Sequence, residues 1–209
     1  VGLRWAKGPF ELMNRVGLKE AHRMASAYAE LAAGGWSVPD FFTRQAAGEE
    51  GWDFSYVDVH MDDGIATITI NRPEAMNALN ETVVDQLGQA VAKVHAAEGI
   101  HTMVLDGAGK AFVAGADVKF FVDKIRADAI PDIEVFTAGG HVVLDTIEAS
   151  PLTTIALTTG LALGGGLELA LACDYRVGTR RSSFRFPETG IGIYPGPVSY
   201  THLRAHETV

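Results

Sequence analysis

A chain of 209 residues, 47% hydrophobic and 21% charged, is long enough for one domain with a real core, or for one domain and part of a second. A formal net charge of −9 argues against a nucleic-acid surface. The single cysteine, Cys173, excludes an internal disulfide and fits a reducing compartment such as the cytoplasm, and no apolar run is long enough to span a membrane.

No basic-then-apolar leader opens the chain, and its first residue is Val1, so it reads as a piece of a longer protein. Residues 1–35 look helical. Pro9 suits a first helical position before Phe10–Val16, and Gly17 punctuates it. A second helix, 18–33, places Ala21, Met24, Ala25, Tyr28 and Leu31 on one face and stops at Gly34-Gly35. Residues 36–53, with turn residues and mixed charge, read as a linker.

From residue 54 the pattern changes. Residues 56–61 and 65–71 alternate as strands around Asp62-Asp63-Gly64, a hairpin turn. Asn80 can cap a helix over 81–97 whose apolar face is Val83, Val84, Leu87, Val91 and Val94. A short buried strand spans 102–105, a turn 110–115, and a helix 117–125. A longer helix follows Pro131 to about 149. Ile155-Ala156-Leu157 is then a buried strand that meets Gly160 and the triplet Gly164-Gly165-Gly166 before the strong helix former 167–173. Short strands at 175–177 and 183–186 lead to Pro187-Glu188. Strands alternating with helices define an α/β fold, and no simple sequence repeat is evident.

Two turns share one design. Phe112–Asp117 and Leu163–Gly166 each run from a strand into a helix with small residues at the bend. If both face one pocket, each offers a backbone N–H to a single oxygen, an oxyanion hole whose donors contribute about 3 kcal/mol each. Two carboxylates, Glu168 and Glu188, suit proton transfer beside a polarised carbonyl. Taken alone, Glu168 is also what a helix dipole favours and Glu188 is also a solvated loop residue. The glycine turn is neither a dinucleotide fingerprint nor a P-loop. Cys173, on an apolar helix face, reads as a small core residue.

Four segments in order resemble the crotonase (enoyl-CoA hydratase/isomerase) family: Ile70–Pro73 with Met76–Leu79, Gly109–Asp117, Gly160–Ala170, and Phe186–Gly192. The resemblance covers about 54–197. It implies a ββα spiral, assembly as a homotrimer, and an acyl-CoA thioester substrate, with no metal or redox cofactor beyond the coenzyme A of the substrate. Carried over, Ala116 and Gly165 would be the oxyanion donors. Ala114, Asp117, Val118 and Lys119 would lie along the CoA moiety, with Gly164 beside the substrate. Glu168 would hold and activate water, and Glu188 would handle the α-carbon proton. Both glutamates together resemble a hydratase, which adds water to a trans-2-enoyl-CoA. An isomerase or acyl-CoA hydrolase on the same fold, or an inactive acyl-CoA-binding fragment, are the alternatives.

Residues 7–18 resemble the end of a 3-hydroxyacyl-CoA dehydrogenase C-terminal domain, as in fused dehydrogenase–hydratase proteins; its NAD site would lie upstream. Residues 198–209 depart from the family, where a Gly-Gly-Thr helix start is expected, and resemble translated adapter sequence. His202 and His206, four apart, are given no metal role there.

Overall fold

The computed structural model describes residues 8–191, apart from 33 and 49, and the chain divides between Phe54 and Ser55 into two units. The first unit holds three helices: α1 (Pro9–Val16), α2 (Leu18–Leu31) and α3 (Asp40–Ala47). Pro9 opens α1, and Gly17, at φ 92°, ends it. The sequence predicts a linker where α3 forms. Pro39 starts that helix, Asp40 lies in its first turn, and Phe42 and Ala46, one turn apart, bury against Leu18. The inward face of α2 also differs from the expected one. Leu18 is buried and Ala21 and Ala25 partly so, whereas Met24, Tyr28 and Leu31 are exposed. The helix turns its small residues toward Phe42 of α3 and Trp52 beyond it, large aromatics that pack closely against Ala21 and Ala25 in one cluster. The side chain of Asn14 pins residue 52, donating to Trp52 O at 2.8 Å and accepting from Trp52 N at 2.7 Å.

The second unit begins with β1 (Val57–Asp62) and β2 (Ile65–Ile70), an antiparallel hairpin turned by Asp63 and Gly64, both at positive φ. The helix α4 (Glu81–His95) follows, capped by the Asn80 side chain, which accepts from Val83 N at 3.0 Å. Its predicted face is the one that is buried. Then come β3 (Thr102–Gly107), β4 (Ala111–Val113), α5 (Val118–Arg126) and α6 (Ile130–Glu148). They lead to β5 (Thr153–Thr158), β6 (Leu161–Leu163), α7 (Gly165–Leu171), β7 (Tyr175–Gly178) and β8 (Ser183–Arg185). A 3-10 turn, Glu188–Ile191, closes the described chain.

The strands sort into two sheets. One has the order β1-β2-β3-β5-β7, parallel beyond the first hairpin, and the other the order β4-β6-β8, all parallel. From β3 onward the chain gives one strand to the larger sheet, the next to the smaller, and then coils. This is the ββα spiral that the resemblance implies, and it is a structural repeat without a sequence repeat. Between the layers lie Ile68, Ile70, Val83, Val91, Met103, Leu105, Phe112 and Ile147, each at most 1% exposed. Burial of such side chains contributes about 1.5–3 kcal/mol each. The helix α5 has no fully buried residue; it is held to α6 by Phe120, Phe121 and Phe136, with ring centroids 4.9–5.6 Å apart. Among the described residues, no helix is long and apolar enough to cross a membrane.

Cys173 is a core residue, as its place in the sequence suggests. Burial, opposed by the charge of Arg176, pushes its thiol up to about 12. The folded state therefore holds that proton more tightly than the unfolded one. Its stabilisation is full below the ordinary thiol range and is lost as pH rises from about 9 toward 12, by at most ~1.4 kcal/mol per pH unit. Iodoacetamide at pH 8.5 should label the native chain far more slowly than the urea-unfolded chain. Equal rates would mean that Cys173 is open to solvent.

Candidate active site

The smaller sheet builds the site. Its three strands are parallel and adjacent, so their carboxyl ends share one edge, the side where ligands gather in open parallel sheets. Each strand hands over a different part. Ala116 follows the end of β4 by three residues, Gly165 follows β6 by two, and Glu188 follows β8 by three.

The first turn is fixed by a bridge. Leu79 N donates to Gly115 O and Asp117 N donates to Leu79 O, both at 2.8 Å. In this parallel pairing of Leu79 with Ala116 the flanking residues carry both bonds, so the N–H of Ala116 points away from Leu79. Behind the turn sits Asn77, fully buried at φ 59°. Its amide donates to Ala108 O, Ala111 O and Phe112 O at 2.9, 2.8 and 3.1 Å, and its Oδ1 accepts from Arg72 N at 2.8 Å. Arg72 reaches Asp117 Oδ2 at 2.9 Å and Ala78 O at 3.0 Å. The resemblance marked the Asn71-Arg72-Pro73…Asn77 stretch without giving it a job; these bonds are its job.

The second turn is fixed by glycine. Gly164 has φ 50° and ψ −122°, a conformation open to glycine, and donates to Arg185 O at 2.9 Å. Gly165 is the first residue of α7, and its N–H is one that a helix cannot satisfy internally. Glu168 lies in the first turn of α7, buried at 9% exposure. Glu188 Oε1 lies against the α-carbon of Gly164, where a Cβ would strike it. Glu188 Oε2 is buried with no hydrogen-bond partner among the described residues.

Ala116, Gly165, Glu168 and Glu188 line one cavity of about 290 Å³, whose other walls are largely apolar: Leu79, Val84, Leu87, Phe121, Phe136 and Leu144 among them. The structure thus brings together the four residues that sequence reading placed at one centre. The five expected along the substrate are not on the cavity wall. Gly164 is buried behind it and Ala114 donates to Met76 O at 3.1 Å. Val118 and Lys119 are exposed at the start of α5. The Asp117 side chain caps α5 at Lys119 N, 3.1 Å, and pairs with Arg72. Sequence reasoning gave His141 no role, yet it is on the cavity wall with Thr137, one turn earlier on α6. Their spacing from Leu144 on one helix face was the available signal. His202 and His206 lie outside the described residues.

A two-sheet ββα spiral with two backbone N–H groups and two glutamates, one in a helix and one beyond a strand end, around one cavity defines a class. The family model described as enoyl-CoA hydratase/isomerase matches residues 65–207. The chain belongs to that family. The match runs through 198–207, the segment set apart above. The chain is 40% identical over 136 residues to a crotonyl-CoA hydratase of Syntrophomonas wolfei, covering 65% of this chain and 51% of the relative. It is 35% identical over 133 residues to a short-chain-enoyl-CoA hydratase of Clostridium acetobutylicum, covering 63% and 49%. It thus spans about half the length of the curated relatives it matches. A crystal structure of an enoyl-CoA hydratase/carnithine racemase from Magnetospirillum magneticum superposes with a TM-score of 0.67 at 35% identity, over 73% of this chain and 57% of that one.

Proposed function

We propose that this chain carries the catalytic centre of an enoyl-CoA hydratase, adding water to a trans-2-enoyl-CoA to give a 3-hydroxyacyl-CoA. One observation carries the reading: Ala116 and Gly165, the residues of the two proposed N–H donors, and the carboxylates Glu168 and Glu188 line a single cavity whose other walls are largely apolar. The N–H groups of Ala116 and Gly165 hold the thioester oxygen as it gains enolate charge. Glu168 holds and activates the water that attacks C3, and Glu188 passes the proton to C2. In net terms one O–H bond of water and the C2–C3 π bond break and C3–O and C2–H bonds form; the proton taken from water is the one delivered to C2, so both glutamates end as they began. The largely apolar wall lowers the local dielectric and strengthens both hydrogen bonds. The names of the relatives support this reaction, and so does the retention of both glutamates. The enoyl-thioester band of crotonyl-CoA should decay on mixing with this chain. A rise in that band from a 3-enoyl-CoA, without decay from crotonyl-CoA, would replace hydration by isomerisation.

We read residues 1–35 as the closing helices of a 3-hydroxyacyl-CoA dehydrogenase domain. Residues 7–18 support this, and so does the chemistry, because a 3-hydroxyacyl-CoA dehydrogenase consumes the hydration product.

A further inference from the structure

We propose that Arg72 is a positioning residue for the oxyanion hole, setting the direction of the Ala116 N–H. The inference rests on the proposed role of that N–H and goes beyond it to what holds it in place. Ala116 follows Gly115, at φ 85°, and α5 beyond it has no fully buried residue, so packing of the following helix does little to fix it. Its direction is set by the bridge to Leu79. That bridge depends on residues 78–79 and 115–117 staying in register; upstream of it the same two segments are tied by Ala114 N to Met76 O at 3.1 Å and by the Asn77 amide, but beyond Ala116, among the described residues, only the bond from Asp117 N to Leu79 O continues the pairing.

Arg72 supplies the brace. Nη1 donates to Ala78 O on one side of the bridge at 3.0 Å, and Nη2 pairs with Asp117 Oδ2 on the other at 2.9 Å. One planar guanidinium therefore spans both chains, immediately before Leu79 and immediately after Ala116. Its own origin is fixed as well. The Arg72 N–H donates to the buried Asn77, and the guanidinium lies 5.7 Å from the centroid of the Tyr56 ring. The side chain is only 16% exposed and its partner Asp117 only 20%, so water competes weakly for the pair. The contact with Glu74, at 3.9 Å and half exposed, adds little.

The test uses 2,4-hexadienoyl-CoA, whose absorption moves to longer wavelength when its thioester carbonyl is polarised. It is read beside crotonyl-CoA turnover, affinity for CoA itself and thermal stability. Arg72→Met should reduce the red shift and lower kcat by about 10- to 100-fold, the effect of a small misplacement, while affinity for CoA holds. Arg72→Lys should recover part of both. Asp117→Asn keeps the capping oxygen, should lose red shift in the same way, and carries the test if Arg72→Met does not fold. Because the two side chains act as one brace, the double variant should be no worse than Arg72→Met. A full red shift and wild-type kcat in Arg72→Met or Asp117→Asn would overturn the brace alone. So would equal losses of kcat and CoA affinity that lysine does not relieve. No red shift in the wild-type chain would overturn the oxyanion reading, and the brace with it.

Discussion

Glu168→Gln and Glu188→Gln should each cut crotonyl-CoA hydration by roughly 10²- to 10⁴-fold, the usual contribution of a positioned acid or base, with acyl-CoA affinity nearly intact. Glutamine keeps the shape of the side chain and removes its capacity to exchange a proton. Folding should survive in both. Glu168 is anchored by α7, whose first-turn bonds run from Leu167 N and Glu168 N to Gly164 O at 2.8 and 3.0 Å, and glutamine fills the same volume there. Glu188 Oε2 has no partner among the described residues to lose. The double variant should be scarcely slower than the worse single, because both groups serve one proton inventory. Initial rates and equilibrium binding, measured together, check this. A single variant that keeps the wild-type rate removes its glutamate from the mechanism. Rates that fall only as far as affinity falls would make the carboxylates binding groups.

The parts of the site were readable in the chain, while their meeting was not. Strand alternation, the Asn80 cap and the apolar face of α4 follow from local spacing, and the structure has them. The strands β4 and β6 showed only as the entry to the two turns, without bounds of their own. Each is three residues long and bounded by turn glycines, so nothing local separates it from the bend it enters. Yet these strands, with β8, gather Ala116, Gly165 and Glu188 along one edge. That edge is a product of long-range pairing, as Leu163 with Arg185, and no window of sequence contains it. Asn77 shows the same limit. Its carbonyl partners lie 31 to 35 residues away, so the sequence shows an asparagine and the fold shows a rivet. Residues 36–53 failed in the other direction. Polar and turn residues suggested a linker, but Phe42 and Ala46 found a neighbour to bury against.

The glycine triplet should separate into three phenotypes when each member is replaced by alanine, because each is glycine for a different reason. At Gly166 a Cβ would meet Val113 O, and would lie 2.7 Å from Val113 C and from its Cβ. Backbone atoms cannot swing aside, so α7 would have to lift off β4. Gly166→Ala should cost about 3 kcal/mol or more, the largest stability loss of the three. At Gly164 the obstacle is conformational, because φ 50° with ψ −122° is a backbone that L side chains rarely adopt, a strain of about 1–3 kcal/mol, together with the collision with Glu188 Oε1. That carboxylate is the end of a flexible side chain and can move. Gly164→Ala should therefore fold with moderate loss and fail in catalysis, having displaced the proposed proton donor. At Gly165 a Cβ would sit 3.5 Å from Leu79 Cδ1 and 4.0 Å from Glu168 Oε2, ordinary contact. Gly165→Ala should keep wild-type stability and lose activity modestly, its methyl group intruding between two cavity walls. Denaturant midpoints and crotonyl-CoA rates, read on all three variants, test the ordering. A Gly166→Ala chain as stable as wild type would mean that α7 does not sit on β4 as closely as the structure has it. A fully active Gly164→Ala chain would mean that Glu188 does its work from somewhere other than beside the glycine turn.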